Sequence, residues 1–196
     1  MRIVGGEWRG RQLEAPDGRS VTRPTTDRMR ESIASMILSA RGLDLAGAHV
    51  LDAFAGSGAM GLELLSRGAA TCTFVDADRG AAARVRRNCK ALGALDRTQV
   101  VRGDALRLAT SGLPGAPFHV VFLDPPYAMG ADVVSSVVAG LAASGQLAPG
   151  CVVCYERAAE APGLAVAGLA PARTKKHGIT CVDLAVYGGG EAADGQ

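Results

Sequence analysis

Residues 49–61 decide the fold, and they read HVLDAFAGSGAMG. The apolar run from Val50 to Phe54 predicts a short buried strand, and residues 59–67 have the pattern of a helix. Between strand and helix lies a G-x-G-x-x-G loop that ends at Gly61, where small residues let a ligand approach the backbone at a helix N-terminus. The stretch is therefore typical of an α/β fold that binds a nucleotide-like ligand.

The order of strand and then helix repeats along the chain. After the first strand and helix, the pattern predicts further elements at residues 71–76, 78–92, 99–102, 119–124, 131–143 and 151–156. Residues 164–187 alternate weakly, which indicates a closing antiparallel pair. Strands that alternate with helices predict a parallel sheet with helices on both faces, so we expect an α/β fold.

Composition limits the classes of protein to which the chain can belong. Its 196 residues suit one folded domain, and a content of 48% hydrophobic and 20% charged residues excludes a disordered chain. No stretch reaches the roughly 18 apolar residues of a membrane span, and the first residues lack the apolar core of a secretory signal. We therefore expect a cytoplasmic protein, and we expect it to be a monomer.

The N-terminal part of the chain differs from the alternating region. Two short strands are predicted at residues 2–4 and 11–13, and a helix is predicted from Asp27 to about Ser39. Seven arginines occur among the first 30 residues, and those outside the helix indicate an arm that binds a polyanion. The predicted divisions are an N-terminal hairpin, arm and helix, a main domain and a disordered tail, at residues 1–45, 46–187 and 188–196.

Cysteine and histidine form no metal-binding pattern. The five cysteines are odd in number and widely spaced, which argues against a disulfide framework. Cys151 and Cys154 form a C-x-x-C pair, but residues three apart on a strand point to opposite faces, so we interpret both as buried thiols. His49, His119 and His177 are interpreted as isolated from one another and from the cysteines. We therefore expect no metal.

Acidic residues at two strand ends distinguish between the ligands that such a glycine loop binds. A nicotinamide dinucleotide site uses the same pattern, with a carboxylate such as Asp76 accepting hydrogen bonds from ribose. Asp52, however, would repel a pyrophosphate and suits the ammonium group of an amino acid. S-adenosylmethionine (SAM) satisfies both carboxylates and the loop, while the dinucleotide remains the alternative. The residues expected to bind the cofactor are Asp52, Phe54, Ala55, Gly56, Ser57, Gly58, Asp76, Ala77, Asp104 and Ala105.

The tetrapeptide Asp124-Pro125-Pro126-Tyr127 ends the strand predicted at residues 119–124. Prolines fix the backbone and lack N–H donors, which leaves carbonyl oxygens free to accept hydrogen bonds. Together with the Asp124 carboxylate and the flat Tyr127 ring, they indicate a pocket for a planar group that carries an N–H₂. We expect Asp124, Pro125 and Tyr127 to be the catalytic residues.

Three segments together resemble the bacterial RsmD family, whose enzymes methylate N2 of a guanine in 16S ribosomal RNA. They are residues 52–63 with the glycine loop, the D-P-P-Y tetrapeptide and the string RPTTDRMRES at residues 23–32. The R-P-T-T-D-R part is the most discriminating, because other SAM-dependent amino-methylases share the other two segments without it. The resemblance covers about residues 2–187. Asp76 stands where the family often has Glu, and residues 177–180 match its late Y-G-D-T segment only loosely.

The resemblance implies a class I SAM-dependent methyltransferase (Rossmann-like) fold. Its seven-stranded, mostly parallel sheet would have the order 3-2-1-4-5-7-6 with strand 7 antiparallel, and the N-terminal hairpin and helix would form an extension. The implied reaction is SAM-dependent methylation of guanine N2 in 16S ribosomal RNA, of the guanine 966 type, in free RNA or in the small ribosomal subunit. The residues implied to bind RNA are Arg9, Arg11, Arg23, Thr25 and Arg28.

The two motifs suggest a mechanism, and they leave competing functions open. Asp124 and the Pro125 carbonyl would accept hydrogen bonds from the target amine, and Tyr127 would stack on the base. A DNA adenine or cytosine amino-methylase would use the same chemistry, although it would usually need an extra target-recognition segment. A protein-glutamine methylase would use similar motifs but would be expected to have an Asn-headed tetrapeptide. A non-catalytic nucleotide-binding module also remains open.

Overall fold

Seven strands and five α-helices make up the computed structural model, which describes residues 1–16 and 27–188. The strands are β1 (His49–Asp52), β2 (Thr71–Asp76), β3 (Thr98–Arg102), β4 (Phe118–Leu123), β5 (Leu147–Ala158), β6 (Leu169–His177) and β7 (Thr180–Tyr187). The helices are α1 (Asp27–Ala40), α2 (Ala59–Ser66), α3 (Arg79–Leu92), α4 (Ala105–Leu108) and α5 (Ala131–Ala143). The sequence pattern did not predict α4, because four residues are too few for helical periodicity to be visible.

The strands form one sheet in the order β3-β2-β1-β4-β5-β7-β6. β1 is parallel to β2 and β4, and the pairs β2–β3 and β4–β5 are parallel as well. β7 is antiparallel to both β5 and β6, so β6 runs in the same direction as β5. The predicted mostly parallel sheet and its strand order are confirmed. The order reverses between β1 and β4, and open α/β sheets bind ligands beyond the carboxyl ends of the strands at such a point.

Helices cover both faces of the sheet and build two cores. On one face, α1, α2 and α3 pack with the N-terminal hairpin around residues such as Ile33 and Leu64. On the other face, α4 and α5 pack around residues such as Val138. Cys154 belongs to the first core and Cys151 to the second, and both thiols are buried and free. The prediction that this pair faces opposite sides of its strand is therefore correct.

Local signals determine where the helices begin and end. The Asp78 carboxylate accepts a hydrogen bond from the Ala81 backbone N–H at 2.7 Å and caps the start of α3. Gly93, with φ of 71°, ends the same helix. α1 begins at Asp27, as the sequence predicts. Within residues 1–16 and 27–188, no helix is long and apolar enough to span a membrane.

The N-terminal hairpin has less strand structure than the sequence predicts. Instead of two paired strands, the described residues contain one isolated antiparallel bridge between Arg2 and Gln12. The reason is that the backbone turns away to bind α2, where the Val4 and Gly5 N–H groups each donate to the Glu63 carboxylate at 2.8 Å. A few backbone hydrogen bonds close the hairpin, such as the one from the Ile3 N–H to Arg11 O at 3.0 Å, and the Glu63 side chain joins it to α2.

His49 and His119 are neighbours, contrary to the interpretation of the histidines as isolated. Their ring centroids lie 5.3 Å apart, and the His49 backbone N–H donates to Nδ1 of His119 at 3.1 Å. They meet because they lie at the starts of adjacent strands, β1 and β4. Burial, together with positive charge on His49 and Arg41, lowers the pKa of His119. Among the described residues, no cluster of three or more metal-binding side chains occurs.

Glu63 is fully buried and joins the hairpin to the helical layer. In addition to the two backbone N–H groups of the hairpin, it accepts a hydrogen bond from Arg67 Nε at 2.8 Å. Glu31 reaches the same guanidinium from α1, with its oxygen 2.8 Å from Arg67 Nη2, but its side chain is half-exposed. A charge-assisted hydrogen bond in a buried site is stronger than one in water.

We expect Glu63→Ala to lower the free energy of unfolding by about 3–5 kcal/mol, because two backbone N–H groups and the Arg67 guanidinium lose their buried acceptor. Glu31→Ala removes the exposed partner of the same arginine and should change it by only about 0–1 kcal/mol. Urea denaturation measures both variants. Equal losses in the two variants would contradict the role assigned to Glu63.

Candidate active site

The glycine loop leads directly from β1 into α2. Its backbone is fixed by the Ala55 N–H, which donates to Val75 O at 3.0 Å, and Gly58 adopts a left-handed φ of 76°. A side chain at Gly61 would overlap the Phe74 ring, so only glycine lets α2 lie this close to β2. The third glycine of the pattern therefore serves packing, as the fingerprint requires.

Asp76, at the end of β2, holds the loop from the side. Its two carboxylate oxygens accept hydrogen bonds from the Gly56 N–H and the Asp78 N–H, each at 2.8 Å. The side chain is half-buried, and the space beside Gly56 is open. Each carboxylate oxygen retains a second lone pair, so Asp76 can also accept a hydrogen bond from a sugar hydroxyl.

Asp52 is a buried carboxyl with an unsatisfied oxygen. Its side chain is 1% exposed, and Oδ2 accepts a hydrogen bond from the Gly61 N–H at 3.1 Å. Oδ1 is buried and has no partner within the described part of the chain. Burial, together with the negative charges of Asp124 and Asp76, raises the pKa of Asp52 to about 7. This carboxyl fits a ligand that brings a cation, such as the ammonium group of SAM.

Asp124 lies beyond the end of β4, next to Asp52. Because Asp52 pairs with Phe122 in the parallel register, Asp124 follows two residues later at the same edge of the sheet. Burial raises the pKa of the half-buried Asp124 carboxyl to about 6. In the residues described, the Pro126 carbonyl accepts from the Met129 N–H at 2.8 Å, whereas the Pro125 carbonyl has no donor. The tetrapeptide thus presents two acceptors, one of them a carboxylate.

Tyr127 forms one wall of a cleft that sequence analysis did not find. The cleft has a volume of about 350 Å³, and it is lined by Tyr127, Ala158, Ala159, Glu160, Lys176, Gly178 and Ile179. Tyr127 is 55% exposed and Ile179 68% exposed, although both side chains are large and apolar. In the sequence, the cleft could have been suspected only from Ile179, an apolar residue in the turn between β6 and β7. Ile179 indicates a binding cleft only once the fold places the D-P-P-Y segment opposite it. The cleft suits a flat aromatic group.

The other predicted cofactor residues follow the same edge. Gly103, after β3, donates its N–H to Asp76 O at 3.0 Å, which brings the third strand end to the second. Asp104 caps α4, because its carboxylate accepts from the Arg107 N–H at 3.0 Å. The remaining predicted residues lie in or next to the segments that follow β1, β2 and β3, and their solvent exposure varies from buried to exposed. They are Phe54, Ala55, Ser57, Ala77 and Ala105.

The structure does not bring the predicted RNA-binding residues together. Arg9 and Arg11 lie at the tip of the hairpin, where Arg11 Nη2 donates to Ala91 O at 2.7 Å near the end of α3. Helices α2 and α3 begin at the carboxyl edge of the sheet, so this tip lies at the opposite edge from Asp52. Arg28 belongs to the first turn of α1 instead. The other two predicted residues, Arg23 and Thr25, lie outside the described residues.

Comparisons with known proteins connect this geometry to a family. The family described as Conserved hypothetical protein 95 matches residues 1–186 of the chain. Ribosomal RNA small subunit methyltransferase D of Escherichia coli K12 is 41% identical over 130 residues, which are 66% of this chain and 62% of that protein. The chain therefore matches less than two thirds of the length of this curated relative.

Solved structures show the same architecture. A candidate methyltransferase of Escherichia coli, yhhF, has a TM-score of 0.81 and 34% identity, and the match covers 97% of this chain and 99% of the other. The magnesium protoporphyrin IX methyltransferase of Synechocystis, solved with bound SAM, has a TM-score of 0.60 at 18% identity and covers 86% of each chain. The latter likeness shows the fold alone.

The family match covers residues 1–186, and the structural match to yhhF covers 97% of the chain. Family and fold together confirm the predicted class I SAM-dependent methyltransferase fold, and the methyltransferase relatives support SAM as the cofactor. The sequence resemblance noted from the glycine loop, the D-P-P-Y tetrapeptide and the R-P-T-T-D-R string is therefore correct, and the chain belongs to the RsmD family, which is described as Conserved hypothetical protein 95.

Proposed function

We propose that the protein transfers the methyl group of SAM to the exocyclic N2 amine of a guanine in 16S ribosomal RNA, of the guanine 966 type. One observation carries the proposal. Among the described residues, one oxygen of the buried Asp52 carboxyl and the Pro125 carbonyl have no hydrogen-bond partner, and Asp52 lies on the strand beside the one that ends before Asp124. A cation-binding group and an amine-binding group thus occupy one edge of the sheet.

Three features of the chain would hold SAM, which supplies a methyl group already activated on a sulfonium. Asp52 would bind the ammonium of the methionine part, since its Oδ1 has no other partner in the described residues. Asp76 would accept hydrogen bonds from the ribose, because it already orders the loop through the Gly56 N–H. The open space beside Gly56 lets the ligand lie against the backbone.

The D-P-P-Y segment would position the target amine. The lone pair of an exocyclic nitrogen is delocalised into its ring, so the amine is a poor nucleophile. Asp124 and the Pro125 carbonyl would accept hydrogen bonds from the N–H₂, align its lone pair and stabilise the positive charge that develops. Tyr127 would stack on the base in the cleft opposite Ile179. The target base has to leave its stack to enter, which favours a nucleotide in a loop or bulge.

The choice of ribosomal RNA rests on the family. The name of the Escherichia coli relative describes that protein as a ribosomal RNA small subunit methyltransferase. The alternative, a DNA adenine or cytosine amino-methylase, would use the same acceptors. The D-P-P-Y geometry fits any planar amine, so the residues of the tetrapeptide do not distinguish the bases.

Mapping of methylated nucleotides tests the proposal. The purified protein would be incubated with labelled SAM and either free 16S ribosomal RNA, small ribosomal subunits that lack the modification, or duplex DNA. We expect N2-methylguanine at a single position in the ribosomal RNA or in the subunit. Methyladenine or methylcytosine in the DNA, with unlabelled RNA, would overturn the proposal in favour of the alternative.

The affinity for SAM should depend on the protonation of Asp52. Its pKa of about 7 means that the carboxyl is mostly protonated at pH 5, where it no longer attracts the ammonium. We expect the affinity to fall by at least about tenfold from pH 7 to pH 5, a range in which the ammonium stays charged.

Titration calorimetry at several pH values checks this prediction. Wild-type protein should release protons when it binds SAM below pH 7. Asp52→Asn, which keeps the size of the side chain, should bind SAM weakly and depend much less on pH. If the variant and the wild type share one pH profile, Asp52 does not hold the ammonium.

Asp124→Ala should leave the affinity for SAM nearly intact and lower the rate of a single turnover by about 10²-fold or more, because the amine loses a preorganised acceptor. Asp132→Ala is the matched control, since Asp132 is an exposed aspartate in the first turn of α5. Rapid-quench measurement with labelled SAM gives both rates. A rate for Asp124→Ala within a few-fold of the control would make Asp124 a structural residue.

A further inference from the structure

A second concave surface lies between α1 and the edge strand β6. It has a volume of about 300 Å³. We call it the α1–β6 surface, and its polar lining consists of Arg28, Glu31, Ser32, Ser35, Arg173 and Lys175. The mechanism proposed above uses none of the cations of β6, although three basic residues occur within four positions there, at 173, 175 and 176.

The charge of the α1–β6 surface is positive. Within the described residues, neither Arg28 nor Arg173 has a carboxylate partner, and Lys175 Nζ donates a neutral hydrogen bond to Ser32 Oγ at 2.9 Å. The acidic residue in the lining, Glu31, forms an ion pair with Arg67, with 2.8 Å between Oε2 and Nη2, so its charge is already compensated. Three cations on two elements therefore face one hollow, and no carboxylate of the described residues pairs with them.

The strand geometry aims these cations at the hollow. Side chains two apart on a strand share a face, so Arg173, Lys175 and His177 lie on the same side of β6. His177 confirms that this side faces α1, because its Nε2 lies 3.4 Å from Ser32 Oγ. Burial and the charge of Lys175 lower the pKa of His177, so the positive charge comes from the arginines and the lysine.

The α1–β6 surface lies at the edge of the sheet that carries the candidate active site. β6 runs in the same direction as β5, so its last residue, His177, lies at the carboxyl edge with Asp124. Three strand spacings separate β6 from β4, which is a lateral distance of roughly 14 Å. The turn after His177 continues to Ile179, which faces Tyr127 across the cleft. A polymer whose base entered the cleft would pass over this surface.

We propose that the α1–β6 surface binds backbone phosphates of the RNA strand that carries the target nucleotide. This inference rests on the proposed function, because it assumes that the flipped base occupies the cleft beside Tyr127. Arginine and lysine contacts to phosphate supply affinity and orientation without reading sequence, which suits a surface of cations and hydroxyls. The hairpin tip with Arg9 and Arg11 lies at the opposite edge of the sheet and is less well placed for this task.

The test compares two double variants that remove the same charge. Arg173→Gln with Lys175→Gln changes the α1–β6 surface, and Arg86→Gln with Lys90→Gln changes two exposed cations on α3. Glutamine keeps much of the aliphatic stem in each case. Filter binding to protein-free 16S ribosomal RNA at several salt concentrations gives the affinity and its salt dependence for the full-length protein.

We expect the β6 variant to bind the RNA about tenfold more weakly or worse, while the α3 variant binds like wild type. The slope of log affinity against log salt should shrink by about 1.4 in the β6 variant, because each phosphate contact to a single strand contributes about 0.7. Affinity for SAM should be unchanged in both. Equal RNA affinity and equal slopes in the two variants would overturn the inference.

Two further measurements distinguish a failure of the phosphate site from a misfolded variant and from a failure of the proposed function. If the β6 variant does not fold, Arg28→Gln removes one cation of the same surface from α1, and we expect it to lower the slope by about 0.7. An unchanged slope there would overturn the inference as well. Methyl transfer by the wild type to 16S ribosomal RNA tests the proposed function itself. If the wild type methylates the RNA and the variants bind RNA as tightly as the wild type, the phosphate site is refuted and the proposed function stands.

Discussion

The parallel pairing of β1 with β2 on one side and with β4 on the other controls where the candidate site residues lie. Because the three strands run in one direction, their carboxyl ends meet at one edge, and Asp76 and Asp124 come close enough to Asp52 to raise its pKa. The register matters as much as the direction. Asp52 pairs with Phe74 and Phe122, and a slip of one residue would turn the carboxyl to the other face of the sheet.

The buried acids explain why this edge is suited to a cationic ligand. Asp52 is buried, one of its oxygens has no partner in residues 1–16 and 27–188, and burial and neighbouring carboxylates raise its pKa to about 7. An ionised carboxylate in such a place destabilises the folded chain, since its charge lacks both water and a counter-ion. A ligand that brings a positive charge removes this penalty, so the same feature that weakens the free protein strengthens the bound state. The site is therefore built for its ligand rather than for stability.

The sequence by itself determined the longer strands and helices of the alternating region and the local chemistry of the site. The strand, glycine loop and helix of residues 49–61 were predictable because small residues and an apolar run leave few other conformations. Asp78 and Gly93 cap the two ends of α3, and such caps depend only on neighbours within a few residues. The D-P-P-Y tetrapeptide was identified for the same reason, since prolines impose their geometry on their own backbone.

Only the tertiary structure decided which distant residues meet. It joined Glu63 to the hairpin, placed His49 beside His119 and separated Arg9 from Arg28. It also put the cations of β6 opposite α1, although the two elements are more than 130 residues apart in the chain. Such contacts depend on strand order and on how helices lie across a sheet, and these follow from the packing of the whole core. Local propensity and motif spacing contain no information about them, because they act over only a few residues.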